Sequence, residues 1–482
     1  MELTFPLNTR PRARDLAQQL RAAILEGRLR PGSKLPSTRG LAESLGCSRT
    51  LVSQVYEELV AEGYLEARRG SGTYVAPGLP VLPPAPGAPE APPPRWLAPF
   101  RKGDEDEEGT GCRVDFSLTR QVVEPIARRS WVRMWKAVAR QAPPRDAGPP
   151  EGDPELREAI ADYLGRARGL RCRPGDVVVT TGGVRAVDLV AQAVLRPGDP
   201  VAVEEPGYPA ARRTLEDRGA ALLPVGVDED GLRVRNLTDS PLVVYVTPAH
   251  QYPLGVRMSV ARRAALLDWA SRWDRLILED DYDSELRFDG PPLPALAGMD
   301  RAGRVVYVGT FSKVLAPGLR VGYVVAPAWL RERLLRLRER SGDRVPWPVQ
   351  RALAAFLASG DFDRHVRRVR RQYAERRAAL REALQPASGL ARLKGMEAGL
   401  HAFLELGPGL DEQKLAAVAH QRGVRVSLLR PFYLGTPDRQ GWLLAYGGLT
   451  AEEVWWGGRV LAEVLREASR RLSPPLPAGR GL

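Results

Sequence analysis

Apolar and polar positions along the chain fall into two registers. Near the N-terminus, residues 15–25 place apolar side chains at helical spacing. Arg30-Pro31-Gly32 breaks that pattern. Ser37 then opens a short helix running to Leu45, and Ser48 is a good N-cap for a third. In the third helix Leu51, Val52, Val55, Tyr56, Leu59 and Val60 fall on one face. Arg49, Thr50, Ser53 and Gln54 are left outward near its start. Residues 66–75 read as two short strands about a basic glycine turn, a wing.

The second register begins near residue 177. Short apolar runs at 177–179, 201–204, 242–247, 276–279 and 304–308 alternate with helical patterns such as 260–273. Apolar runs of this length are strands buried on both faces, so the alternation predicts an α/β unit with a parallel sheet and crossover helices. From about residue 366 a long basic helix leads into a smaller α+β part holding 399–404, 424–428 and 441–446. Residues 77–112 fit neither register. Pro83-Pro84 and Pro92-Pro93-Pro94 stiffen the first part of this stretch, and Asp104-Glu105-Asp106-Glu107-Glu108 cannot build a core. It is expected to be a linker with an upper reach on the order of 100 Å at about 3.1 Å per residue. The expected boundaries are therefore 1–76, 77–112 and 113–482, the last with a large part near 140–360 and a small part near 366–475.

Composition narrows this picture. A chain of 482 residues with 44% hydrophobic content supports two or three domains with sizeable cores. The formal charge of +13 suits a polyanionic partner. Three cysteines, Cys47, Cys112 and Cys172, show no metal or redox spacing, which argues for a reducing cytoplasm without disulfides. No apolar run is long enough to span a bilayer, and neither a signal peptide nor an internal repeat is evident. No metal site is expected.

The candidate chemistry sits at strand ends. Directly after the run 304–308 come Thr310, Ser312, Lys313 and, seven positions beyond the lysine, Arg320. An aldehyde cofactor with a phosphate tail needs this set: Lys313 for the Schiff base, and Thr310, Ser312 and the planar fork of Arg320 for phosphate oxygens. Asp280 ends the run before it and suits a pyridinium nitrogen, with Tyr282 placed to donate to the ring's phenolic oxygen. Gly182 and Gly183 lie at a strand-to-helix turn whose N–H groups can face an anion. Tyr208 follows another strand and can stack on the ring.

These residues occur in the order found in fold-type I aminotransferases, which the chain resembles from about Asp115 onward. The resemblance implies pyridoxal 5'-phosphate (PLP) bound by Lys313, Asp280, Tyr282, Tyr208, Gly182, Gly183, Thr310, Ser312 and Arg320. The front of the chain, with LPSTRGLA at 35–42, SRTLV at 48–52 and GSGTYV at 70–75, resembles the winged helix of GntR-type repressors. That likeness implies double-stranded DNA as partner, with Arg39, Ser48, Arg49, Thr50, Ser53 and Gly70 at the contact. Together the parts resemble the MocR/GabR/PdxR family of regulators. This implies a PLP-binding transcriptional regulator, a homodimer with swapped head-to-tail subunits, controlling vitamin B6 synthesis or amino-acid metabolism. The alternative is a PLP-dependent aminotransferase of the α-aminoadipate or kynurenine type with an accessory N-terminal domain.

Three departures bear on that choice. Aminotransferases hold the substrate α-carboxylate with an arginine in a C-terminal L-R-L-G-F-like strand, where this chain has Leu443. GABA-responsive members carry a second arginine two residues after the stacking tyrosine, where this chain has Ala210. Tyr252 replaces the usual asparagine before the P-x-G turn, giving the His-Gln-aromatic triplet common in the regulators. These changes favour a PdxR-like sensor of PLP, or of a ligand lacking an α-carboxylate, with negligible transamination.

Overall fold

The computed structural model describes residues 13–78, 111–118, 124–289 and 294–472. Most of the expected linker, residues 79–110, lies outside the described residues. The chain divides into two compact units, Met1–Lys102 and Gly103–Leu482.

In the first unit the helices are Ala13–Leu25, Thr38–Leu45 and Arg49–Ala61, and the wing strands are Leu65–Arg68 and Gly72–Val75. The Ser37 hydroxyl accepts from Gly40 N–H and the Ser48 hydroxyl from Leu51 N–H, so both predicted caps form. Leu16, Leu20, Ile24, Val52, Val55 and Leu59 make one core with Leu65 and Val75 of the wing. Truncating such a side chain, as in Leu20→Ala, costs about 2–5 kcal/mol. Val60 departs from the expected apolar face: it is 36% exposed. Five residues on from Val55 a helix has turned through well over one revolution, which carries Val60 past the edge of the buried stripe.

The second unit is built on an eight-stranded sheet. Its spatial order is Val177–Thr180, Gly322–Val325, Val305–Thr310, Leu276–Asp281, Val243–Val246, Pro200–Glu205, Ala221–Asp228 and Gly231–Leu232. Alternate residues face opposite cores: Val201, Val203, Val243, Tyr245, Leu276, Leu278 and Val306 on one side, Ala202, Val244, Ile277 and Val305 on the other. Helix Gly183–Val194 covers the first face and helix Val260–Trp273 the second.

The sheet is mixed rather than wholly parallel, which corrects the expectation. Strand Gly322–Val325 runs antiparallel to both neighbours, and Gly231–Leu232 is antiparallel to Ala221–Asp228. Between Thr310 and Gly322 the chain makes only a short 3-10 turn, Pro317–Leu319, with no crossover helix to bring it back parallel. The small part is an antiparallel sheet in the order Ala391–Lys394, His401–Leu406, Gly441–Ala445, Ser427–Leu428. It is joined to the large part by the long helix Asp361–Leu384. Among the described residues no helix is long and apolar enough to cross a membrane.

Candidate functional site

All nine residues expected at the cofactor line one cavity of about 650 Å³: Gly182, Gly183, Tyr208, Asp280, Tyr282, Thr310, Ser312, Lys313 and Arg320, with Thr247 and Tyr252. The cavity opens at the C-terminal ends of the parallel strands, where α/β sheets place ligands. A second cavity, about 710 Å³, meets it at Lys313, Tyr252 and Tyr282 and runs on past His401, Leu400 and Asp115.

Strand alternation decides which carboxylate faces the cavity. Glu279, Asp280 and Asp281 are consecutive residues of one strand, all buried. Glu279 accepts the N–H groups of Leu296 and Ala297 at 2.7 and 2.8 Å. Asp281 accepts from the Tyr307 hydroxyl at 2.6 Å and from Arg168 Nε at 2.7 Å. Asp280 lies between them on the cavity side, and Tyr245 donates to its Oδ2 at 2.6 Å. Burial pushes Asp280 up to about 6, partly offset by the Tyr245 hydrogen bond. Lys313 is brought down to about 8 by burial, with Asp283 and Asp280 acting in the opposite direction. The site therefore holds an amine and a carboxylate, both shifted towards their neutral forms.

At the other end of the cavity the groups are those of an anion cradle. Helix Gly183–Val194 starts with Gly182 at φ 107° and no side-chain cap, so its first N–H groups remain free for a ligand. Thr310 and Ser312 supply hydroxyls, and Arg320 adopts a left-handed backbone at φ 51°. Its guanidinium carbon would lie 3.8 Å from a Cβ built on Gly182. Gly322 lets its strand pass beneath the turn: a Cβ there would meet Gly182 C at 2.7 Å and Gly183 N at 2.9 Å.

This donor set fits PLP: an amine for its aldehyde, a buried carboxylate for its ring nitrogen, and hydroxyls, guanidinium and helix N-terminus for its phosphate. Tyr208 lines the same cavity, and Tyr252 packs edge-on against both Tyr208 and Tyr282, at 5.1 and 5.6 Å between centroids. Sequence reasoning noted Tyr252 as a substitution but missed Tyr245 and Thr247. Tyr245 sits mid-strand among apolar residues, where nothing but the fold marks it.

Two arginines that could stand in for a carboxylate clamp from nearby segments, Arg212 and Arg430, are engaged elsewhere. Arg212 is buried and donates to the carbonyls of Phe432 and Pro431 at 2.7 and 3.1 Å. Arg430 is exposed and donates to Gly435 O at 3.3 Å. Leu443 is fully buried in the central part of the small sheet, opposite Phe403. Among the described residues lining the two cavities, the only lysine or arginine side chains are Lys313 and Arg320.

In the winged helix, Arg49 and Thr50 are exposed at the start of the third helix, with Ser53 half-buried one turn on. Arg39 is exposed and paired with Glu43 at 3.1 Å, and exposed pairs of this kind are weak enough to open. Gly70 makes the wing turn at φ 73°. Arg68 and Lys34 both lie over the Tyr74 ring, at 4.6 and 5.8 Å from its centroid.

Comparison with known proteins agrees with both halves. Residues 12–75 match the bacterial regulatory proteins of the gntR family, and residues 131–454 match aminotransferase class I and II. The chain is 38% identical to the probable rhizopine catabolism regulatory protein MocR of Rhizobium meliloti, over 91% of this chain and 90% of that one. It is 34% identical to the HTH-type pyridoxine biosynthesis transcriptional regulator PdxR of Corynebacterium glutamicum, over 93% and 94%. Among solved structures, Pyrococcus horikoshii kynurenine aminotransferase superposes with a TM-score of 0.69 at 27% identity, covering 74% of this chain and 92% of that one. A winged helix followed by a fold-type I aminotransferase-like domain defines a DNA-binding transcriptional regulator built on an enzyme scaffold. The chain belongs to the MocR/GabR/PdxR family of GntR-type regulators.

Proposed function

We propose that this regulator binds PLP in the Lys313 cavity and reports the level of PLP, or of a ligand lacking an α-carboxylate, to a promoter. The observation that carries the reading is the convergence of Lys313, Asp280 and the Gly182–Arg320 anion cradle on one cavity, with no carboxylate clamp among the described residues that line it. PLP supplies an electrophilic aldehyde and, with its ring nitrogen protonated, an electron sink. Lys313 anchors it, Asp280 holds the ring nitrogen's proton, and Tyr208 packs on the ring. The hydroxyls of Thr310 and Ser312, the Arg320 guanidinium and the N–H groups after Gly182 take the phosphate.

Leu443 and Ala210 stand where arginines are expected, so an amino acid entering beside Lys313 finds no basic side chain but Lys313 and Arg320 among the described residues lining the two cavities. Its carboxylate forgoes a charge-assisted hydrogen bond of roughly 1.5–3 kcal/mol and is desolvated without compensation. Catalysis also needs the substrate held in a near-attack pose. Transamination is therefore negligible, and the aminotransferase alternative, which shares every cofactor residue, is disfavoured on this point alone. On the DNA side Arg39, Ser48, Arg49, Thr50, Ser53 and Gly70 make the contact, in a homodimer that controls vitamin B6 or amino-acid metabolism genes from the cytoplasm.

The experiment is to incubate the PLP-loaded protein with a panel of amino acids while following its visible absorption and its binding to DNA upstream of its own gene. The proposal expects no saturable amine transfer and a DNA affinity that responds to PLP. Rapid conversion with a common amino acid establishes the enzyme instead.

A further inference from the structure

One buried pair behind the cavity has no task in the cofactor reading. His250 Nδ1 lies 2.8 Å from Asp283 Oδ2 and 3.0 Å from the Tyr282 hydroxyl. His250 and Asp283 are buried and line neither cavity, whereas Tyr282 lines both. Their place is kept by glycines. A Cβ at Gly399 would fall 2.4 Å from His250 Cε1 and 2.6 Å from Asp283 Oδ2, and one at Gly255 would fall 3.0 Å from His250 Nε2. Gly399 is held in turn by the Tyr446 hydroxyl, which donates to its carbonyl at 3.1 Å.

The donor inventory sets the direction of these bonds. An ionised carboxylate only accepts, so the contact with Asp283 requires a proton on His250 Nδ1. A ring nitrogen that carries its proton has no lone pair left to accept from Tyr282. The Tyr282 oxygen therefore shares the Nδ1–H as a second acceptor, which leaves the tyrosine's own proton for an acceptor other than His250, and Tyr282 lines both cavities. The result is the same for a neutral imidazole with its proton on Nδ1 and for an imidazolium.

We propose that His250 and Asp283 are positioning residues that fix the Tyr282 hydroxyl as a hydrogen-bond donor into the cavity, directed at an anionic oxygen there, the phenolic oxygen of PLP. This rests on the cofactor reading and adds to it the reason Tyr282 donates rather than accepts. Without the pair the tyrosine is free to turn its proton to another acceptor. The ring's oxygen then loses a donor while Lys313 and the phosphate cradle keep their contacts.

The test has two arms. The first uses the full-length protein without cofactor, its histidine rings labelled with 15N. The chain has four histidines, so the His250 signals are assigned by their loss in His250→Phe. The expected result is a proton bonded to His250 Nδ1; an unprotonated Nδ1 overturns the proposal. The second arm titrates the visible absorption of the PLP-loaded protein against pH in wild type, Tyr282→Phe and His250→Phe. The His250→Phe midpoint is expected to shift from wild type in the same direction as Tyr282→Phe. A His250→Phe midpoint at the wild-type value, with Tyr282→Phe displaced, overturns it. Should His250→Phe fail to fold, Asp283→Asn replaces it in both arms, assigned by its displaced ring signals. If wild type takes up no PLP the cofactor reading falls, and the first arm alone decides the proton's position.

Discussion

Tyr245 donates its hydroxyl to Asp280 Oδ2 at 2.6 Å from the neighbouring parallel strand. Tyr245 pairs in register with Leu278, two residues before Asp280, so both side chains emerge on the same face. The bond holds the carboxylate in one orientation and leaves its other oxygen for a ring nitrogen.

Asp280→Asn should weaken PLP binding by roughly 1.5–3 kcal/mol, about ten- to a hundredfold, because it removes a charge-assisted hydrogen bond. Tyr245→Phe should weaken it less, since it loosens the carboxylate without neutralising it. Equilibrium dialysis against PLP measures both. Equal affinities for wild type and Asp280→Asn would remove Asp280 from the ring nitrogen.

Lys313 should make PLP uptake depend on pH. Burial brings the amine down to about 8, against about 10.4 for an exposed lysine. The neutral amine is the nucleophile, so the rate of PLP uptake by the cofactor-free protein should climb with pH and level off above about 8. The same shift affects stability. The unfolded chain holds the extra proton between about 8 and 10, so this group's destabilising contribution is full below pH 8 and fades as pH rises through that window. Asp280 runs the other way: its folded value of about 6 lies above the unfolded one, so its contribution is favourable below pH 4 and is lost as pH rises to about 6. Stopped-flow absorbance across pH 6–10 checks the rate. A flat profile would place another group at the aldehyde.

Much of this site was legible because its chemistry sits in short stretches at strand ends. Lys313, Asp280 and the Gly182-Gly183 turn each follow an apolar run, and their chain order carried the resemblance. What escaped was set by sheet register. Tyr245 is 35 residues from the carboxylate it serves and looks like one more apolar strand residue. Strand Gly322–Val325 lay inside the phosphate motif, so its antiparallel return was not foreseen. Ala221–Asp228 was missed as a strand because Pro224 and Gly226 interrupt its pattern. Arg212 could not be placed from sequence, since its acceptors are backbone carbonyls 219 and 220 residues further on.

Arg49→Ala should lower affinity for the operator while leaving thermal unfolding unchanged, since the side chain is exposed and outside the winged-helix core. A bidentate base contact is worth about 1–3 kcal/mol, and a phosphate contact instead reduces the salt dependence by about one unit of slope. Arg39→Ala should behave similarly, because its pair with Glu43 is solvent-exposed. Fluorescence anisotropy at two or more salt concentrations separates the two kinds of contact. Unchanged affinity at moderate salt would exclude either residue from the interface.

The regulator should sediment as a homodimer, at about twice its 52.9 kDa chain mass, with or without DNA. Sedimentation equilibrium over a hundredfold range of concentration checks this. A monomer throughout would require the operator contact to be made by one winged helix.

The most direct test compares wild type and Lys313→Ala for binding to the DNA upstream of the regulator's own gene, with and without PLP. The account predicts that PLP changes the wild-type affinity and leaves that of Lys313→Ala unmoved, with both proteins equally folded. If PLP alters both equally, or neither, while wild type rapidly transfers amino groups from a common amino acid, the aminotransferase-like domain is working as an enzyme and the sensor account is wrong.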